Sequence, residues 1–247
     1  MRLTPIKTEK ILPEEKALLS VLDAHIQHFS ERSILAISSK IVSLCEGRVR
    51  KLSEDKEKLL QEESDYFLPK RHRKNNSLTI THHAFIGSAG IDESNSAGHF
   101  VLLPQNAQKT VSLVYRYLKR RFNLKECGVC ITDSHSTPLR RGASGIALAY
   151  KGFEGLKDYR GTSDLFGRML RLEQANITDA LASAAVLVMG EGDEQTPLVL
   201  IEDTNGITFN EKAPTKKELS EFFVDLTDDI FSPVFNVRRL KKGGKKH

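Results

Sequence analysis

The sequence predicts a mixed α+β fold, and three observations carry that prediction. Amphipathic runs at helical spacing alternate with apolar runs too short to be helices. No regular βαβ rhythm and no internal repeat links them. The chain has 247 residues, 39% hydrophobic and 28% charged, which is enough apolar material for a substantial core.

Apolar positions at Ala17, Leu18, Val21, Leu22 and Ile26 predict a helix over residues 14–30, with Phe29 near the same stripe. Ser33 to Ser38 reads as a short buried strand. A helical turn over residues 39–46 follows, and Gly47 can stop it. Residues 51–64 are charged and helical around Leu59 and Leu60. Residues 65–77 read as a polar loop, and 78–86 as one weakly alternating strand. Gly87 opens a shaped loop, GSAGIDESNSAGHF. Val111, Val114, Tyr115 and Leu118 mark an amphipathic helix over 106–121. Strands are expected at 128–132, 146–150 and 198–202, and an Ala-rich helix at 175–189, stopping at Gly190. Residues 158–168 read as irregular. Residues 1–210 are expected to form one unit, and 211–247 a last helix (215–224) with a basic tail.

Net charge is +5. Two basic clusters contribute, Lys70 to Lys74 and the tail from Arg238 to His247. The tail reads as a frayed terminus, because glycines interrupt it and it carries no aromatic residue for base stacking. Nucleic acid is therefore not the expected partner. A non-catalytic polyanion binder using both clusters stands as the alternative class. No run of about 18 apolar residues exists, so no membrane span is expected. The charged N-terminus does not read as a signal peptide, and a cytoplasmic location is the default. Cys127 and Cys130 form a C-x-x-C inside an apolar run, which reads as a buried strand rather than a zinc or redox site. His82, His83, His99 and His135 lack i, i+4 spacing and predict no zinc.

Three acids sit at corners of the chain. Asp92 follows Ala-Gly-Ile, Asp133 ends an apolar run before Ser134, and Glu191 lies between Gly190 and Gly192. Oxygen ligands of this kind suit Mg²⁺ or Mn²⁺, and flanking glycines let backbone N–H groups approach phosphate. Each acid alone also fits a turn or cap. Neither a Walker phosphate loop nor a dinucleotide-binding glycine motif is present.

Eight motifs in order extend this reading. They are Ser39-Lys40-Ile41-Val42-Ser43 with Glu46-Gly47-Arg48, Ala89-Gly90-Ile91-Asp92-Glu93-Ser94-Asn95, Leu102-Leu103-Pro104, Ile131-Thr132-Asp133, Arg140-Arg141-Gly142, Asp158-Tyr159-Arg160-Gly161, Asp164-Leu165-Phe166-Gly167-Arg168, and Val188-Met189-Gly190-Glu191-Gly192. Over roughly residues 33–202 the chain resembles the coenzyme F420-0:L-glutamate ligase family. The resemblance implies an intertwined homodimer of mixed α+β fold. It implies a metal-dependent ligase that adds γ-linked L-glutamate to F420-0 or a folate with GTP, or ATP, as co-substrate. It makes Asp92, Asp133, Ser134 and Glu191 the ligands of Mg²⁺ or Mn²⁺, with Ser134 in place of the family's threonine. It makes Ser39, Lys40, Asn95, Met189, Gly190 and Gly192 nucleotide contacts. Arg140 and Arg141, close in sequence to Asp133, are candidates to clamp a phosphoryl group or an anionic acceptor, with Arg160 and Arg168 behind them. Three departures stand out. Leu44 replaces a lysine, Ser88 replaces an asparagine, and the family's Gly-Leu-Pro nucleotide loop is not recognisable in Thr8-Glu9-Lys10-Ile11-Leu12.

Overall fold

A computed structural model describes residues 1–69, 77–235 and 239–245. The cluster from Lys70 to Lys74 lies outside the described residues, as do Arg238, Lys246 and His247 of the tail.

A five-stranded sheet organises the larger part of the chain. Its strands are β1 (Arg2–Ile6), β2 (Ile34–Ser38), β8 (Gly128–Ser136), β9 (Ala143–Lys151) and β12 (Leu198–Glu202), in spatial order β1-β12-β2-β8-β9. Only β2 and β8 run parallel; the other neighbours are antiparallel. Both faces of the central strands are covered, which is why Ile34-Leu35-Ala36-Ile37 is apolar throughout instead of alternating. Leu35, Ile37, Val129 and Ile131 face α1 (Leu18–His25), α2 (Ser39–Cys45) and α4 (Ala107–Arg121). Ile34, Ala36, Cys130 and Val199 face α5 (Ile177–Met189). Cys127 and Cys130 are both buried, on opposite faces of the sheet, as a strand reading requires.

A smaller layer is built from β3 (Val49–Lys51), α3 (Lys56–Glu63), β4 (Tyr66–Phe67), β5 (Leu78–Thr81), β6 (Ala84–Gly87) and β7 (His99–Val101). Its core gathers Leu59, Leu60, Phe67, Ile91, Phe100 and Leu102. An arm, β10 (Leu156–Asp158) paired with β11 (Gln174–Asn176), leaves the large sheet between β9 and α5. After β12 come α6 (Lys216–Phe222), with a capping box at Thr215, α7 (Ser232–Phe235) and β13 (Lys241–Lys242). Among the described residues no helix is long and apolar enough to cross a membrane.

Several expectations are corrected. The first helix is only Leu18–His25, because Glu14 takes a left-handed φ of 55° and Ile26 is already extended. β1 was not expected; its Pro5 is tolerated because the strand lies at the sheet edge. Residues 78–86 form a hairpin of two strands, turned by His82 and His83, both at positive φ. β8 continues past Asp133 to Ser136, so Asp133 lies within the strand. The described part of the tail is not frayed. β13 pairs with β4, and Gly243 N–H donates to Asp65 O at 2.8 Å. Lys245 reaches His82 Nε2 at 2.8 Å, and desolvation lowers its pKa.

α5 lies so close to β9 that a Cβ on Gly145 would stand 2.3 Å from the Ala182 carbonyl oxygen. Gly145→Ala is expected to cost about 1–3 kcal/mol in chemical denaturation, because backbone must move. Gly87→Ala, with open space around its Cβ position, serves as the near-neutral comparison.

Candidate functional site

The parallel pair β2–β8 brings two chain ends to the same edge of the sheet. Ser38 pairs with Thr132, so the next residues, Ser39 and Asp133, stand side by side. Ser39 Oγ donates to Asp133 Oδ1 at 2.6 Å. This edge opens into a cleft of about 760 Å³. The loop after β1, the start of α2, the end of β8, the loop after α5 and the turn between β6 and β7 all contribute to it.

Asp92 sits on the turn after β6, opposite Asp133. It bridges to Val101 and accepts from its own neighbour, Ser94 N–H, at 2.7 Å. Lys40 Nζ lies 2.7 Å from Asp92 Oδ2 and also donates to Ser94 O at 3.0 Å. Burial pushes the Asp92 carboxyl up, but Lys40 and Ser94 outweigh it and its pKa is lowered. From the loop after α5, Glu191 Oε1 accepts from Ser134 Oγ at 2.7 Å. Gly190 ends that helix at φ 78°, a conformation glycine adopts without penalty. Asn95 Nδ2 donates to Gly192 O at 2.7 Å, which ties the small layer to this loop.

Asp133 is half-buried at the end of the parallel pair and is the acid of the set whose pKa is raised. Desolvation raises its pKa from 3.8 to about 6, with the negative charge of Asp92 acting in the same direction. Ser39 and the Ser134 N–H pull against that rise. His135 also lines the cleft, and desolvation lowers its pKa, opposed by Asp179.

Asp92, Asp133, Ser134, Glu191, Lys40, Asn95, Met189, Gly190 and Gly192 all line this one cleft. Ser39 reaches it through Asp133. Among the described residues, however, no three Asp, Glu, His or Cys side chains stand close enough to form a finished cation cage. Each carboxylate is held by a protein donor instead: Asp92 by Lys40, Asp133 by Ser39, Glu191 by Ser134. The donor chemistry still fits a hard divalent cation. All the groups are carboxylate or hydroxyl oxygens, and they line one cleft.

Arg140 and Arg141 are not brought to the cleft. They occupy the exposed β8–β9 turn beside Leu139, which is fully solvent-exposed. Arg160 is engaged with Asp158 at 2.6 Å, and Arg168 lies exposed on the arm. Thr8 to Leu12, where the sequence shows no recognisable loop motif, form one wall of the cleft. Recognising β1 would have signalled them, since a strand parallel to β2 must end at the same edge.

The family model described as F420-0:Gamma-glutamyl ligase matches residues 54–203. A Methanocaldococcus jannaschii protein named coenzyme F420:L-glutamate ligase is 40% identical over 133 residues, 53% of each chain. A Methanopyrus kandleri protein of the same name is 32% identical over 219 residues, covering 81% of this chain and 86% of the relative. A Methanothermobacter thermautotrophicus protein, also so named, is 31% identical over 74% of this chain and 80% of its own. Against the Methanocaldococcus and Methanococcus relatives, the chain spans about half of each relative's length.

The raised Asp133 pKa has a stability consequence. The folded state holds the proton more tightly than the unfolded chain, so stability falls as pH rises from about 4 through about 6. In metal-free protein, Asp133→Asn keeps the acceptor for Ser39 and removes the half-buried charge. It should exceed the wild type in stability above pH 6 by on the order of 1 kcal/mol, a figure discounted for partial solvent access. Urea titrations across pH should show the two curves converging near pH 3.

Proposed function

The chain belongs to the F420-0:gamma-glutamyl ligase family, and from that premise we propose that it joins L-glutamate in γ-linkage to a carboxylate acceptor, F420-0 or a folate, with GTP or ATP as energy source. What supports this reading is the single cleft that gathers Asp92, Asp133, Ser134 and Glu191 with Ser39, Lys40, Asn95 and the loop from Met189 to Gly192.

A carboxylate does not condense with an amine unaided, because its oxygen is a poor leaving group. In the proposed sequence an acceptor carboxylate oxygen attacks the terminal phosphorus of the nucleotide. The bond from phosphorus to the bridging oxygen breaks, leaving nucleoside diphosphate and an acyl phosphate. The glutamate amine then attacks the acyl carbon, inorganic phosphate departs, and the nitrogen gives up its proton to that phosphate. Nothing here is oxidised or reduced.

Bound divalent cations would neutralise charge on the phosphate oxygens. Asp92, Asp133, Ser134 and Glu191 are the residues that would hold them; Asp92 is paired with Lys40 in this structure, and holding a cation would loosen that pair. Freed from that pair, Lys40 would turn its ammonium to a phosphate oxygen. Asn95 would fix the loop from Met189 to Gly192 so that its backbone N–H groups meet the nucleotide. Arg140 and Arg141 lie outside this protomer's cleft and are given no step in it.

We also propose a homodimer. The arm exposes Leu165 at 98%, Phe166 at 94% and Leu172 at 86% of their surface. Apolar side chains grouped on a projecting arm favour cover by a second copy.

Incubation with L-glutamate, Mg²⁺ or Mn²⁺, GTP or ATP, and either F420-0 or a reduced folate should yield a glutamylated acceptor by mass spectrometry. Asp133→Ala should reduce turnover at least about a hundredfold with an unchanged circular dichroism spectrum. Full activity in that variant, or no product with either acceptor, defeats the reading. For the dimer, Phe166→Asp should shift the size-exclusion profile from dimer toward monomer; an unshifted profile removes the arm from the interface.

A further inference from the structure

We propose that Lys10 is an anion-binding residue of the cleft, taking a phosphate or carboxylate group of a bound substrate. The identity of that substrate rests on the ligase reading; the site rests on separate observations. Three lysines line the cleft, Lys10, Lys40 and Lys56. Lys40 is engaged with Asp92 and Ser94. Lys56 is 2.5 Å from Glu93 and lies over the Phe100 ring at 5.6 Å. Lys10 has no hydrogen-bond or ion-pair partner among the described residues.

The cleft wall that carries Lys10 is fixed at several points. Thr8 N–H donates to Gln195 O at 2.9 Å, joining the end of β1 to the loop of Glu191. Glu14 N–H donates to Leu44 O at 2.9 Å, joining the far end to α2. Between them, Glu9 accepts from Lys16 Nζ at 2.5 Å and lies 2.6 Å from His25 Nε2. Lys16 is the main cause of the lowered Glu9 pKa, to about 2. The peptide next to Lys10 is therefore clamped to α1, and less freedom is lost when its ammonium captures a ligand.

The surroundings favour an oxyanion. Leu44, Ile41, Ile11 and Leu12 line the cleft with Lys10 and give it an apolar wall there. A cation beside a low-dielectric wall attracts an anion more strongly than one in open water. Acids outnumber lysines in this cleft, so an anionic substrate needs each unpaired cation it can find. A lysine ammonium is a compact point charge and takes phosphate and carboxylate alike.

Calorimetric titration tests the proposal. Wild type, Lys10→Met and Lys10→Arg are titrated with Mg²⁺–GTP, Mg²⁺–ATP, L-glutamate, F420-0 and a reduced folate. Lys10→Met should weaken at least one of these by about tenfold, and Lys10→Arg should recover most of that loss. Weakening of a nucleotide assigns Lys10 to phosphate; weakening of glutamate or an acceptor assigns it to carboxylate. In turnover, KM for the same ligand should rise with kcat nearly unchanged. Leu44→Lys in the Lys10→Met background should restore affinity, because it returns a cation to the same wall. Unchanged affinities for all five ligands, no binding of any by the wild type, or failure of Lys10→Arg to recover the loss overturns the proposal. Ligation that is indifferent to Lys10 leaves the ligase reading standing. Binding that depends on Lys10 without any glutamylated product does the reverse.

Discussion

The parallel pairing of β2 with β8 is the constraint on which the site depends. Strands that run the same way end at the same edge, and the Ser38–Thr132 pairing sets which residues follow there. Ser39 therefore opens α2 beside Asp133, and a hydrogen bond joins them. The antiparallel neighbour β12 begins at this edge, so the loop that precedes it, with Glu191, is delivered to the same place. The cleft lies outside the carboxyl ends of the one parallel pair in this sheet, the position ligands take in open parallel sheets. The covered faces of the sheet make that register costly to change. A one-residue slip would exchange Leu35 and Ile37 with Ile34 and Ala36 between two differently shaped cores.

The candidate acids could be picked out in the sequence, for a physical reason; that they meet in one cleft could not. Asp92, Asp133 and Glu191 interrupt apolar or glycine-rich corners, and a charge in such surroundings must find a partner or a role. α4, α5 and β12 were read nearly to their observed bounds, because each has a full apolar face. What was missed lacked that signal. β1 is the short run Arg-Leu-Thr-Pro-Ile with Pro5 inside it, so nothing local marks it as a strand; only its pairing with β12 does. The turn at His82 and His83 carries no glycine, although both residues adopt left-handed backbone. β13 is two lysines, and its strand character comes wholly from the edge of β4.

The arginines show where proximity in sequence misleads. Arg140 is seven residues beyond Asp133, but β8 runs on past the acid to Ser136 before the chain turns. An extended chain advances roughly 3.3 Å per residue. The turn that carries Arg140 and Arg141 is thus displaced from the cleft by the length of the strand's end. By contrast, Glu191 is distant in sequence from Ser134 and touches it. Where β8 ends, and where the chain returns after α5, decide these outcomes rather than distance along the sequence.

The carboxylates and the specificity of the cleft are built from different parts of the chain. Asp133 stands on a core strand, and its position cannot drift without disturbing the packing of Cys130 and Ile131 beside it. Asp92 and Glu191 stand on turns fixed by hydrogen bonds to neighbouring elements. The wall from Thr8 to Leu12 belongs to a connecting segment held through its backbone at Thr8 and through Glu9, and Leu44 faces it from the end of α2. A buried leucine there, 6% exposed, leaves no charge to be solvated. The chain can therefore vary the charge and shape of that wall while the acids at the strand ends keep their geometry. The acids and the wall that faces them are thus set by separate parts of the chain.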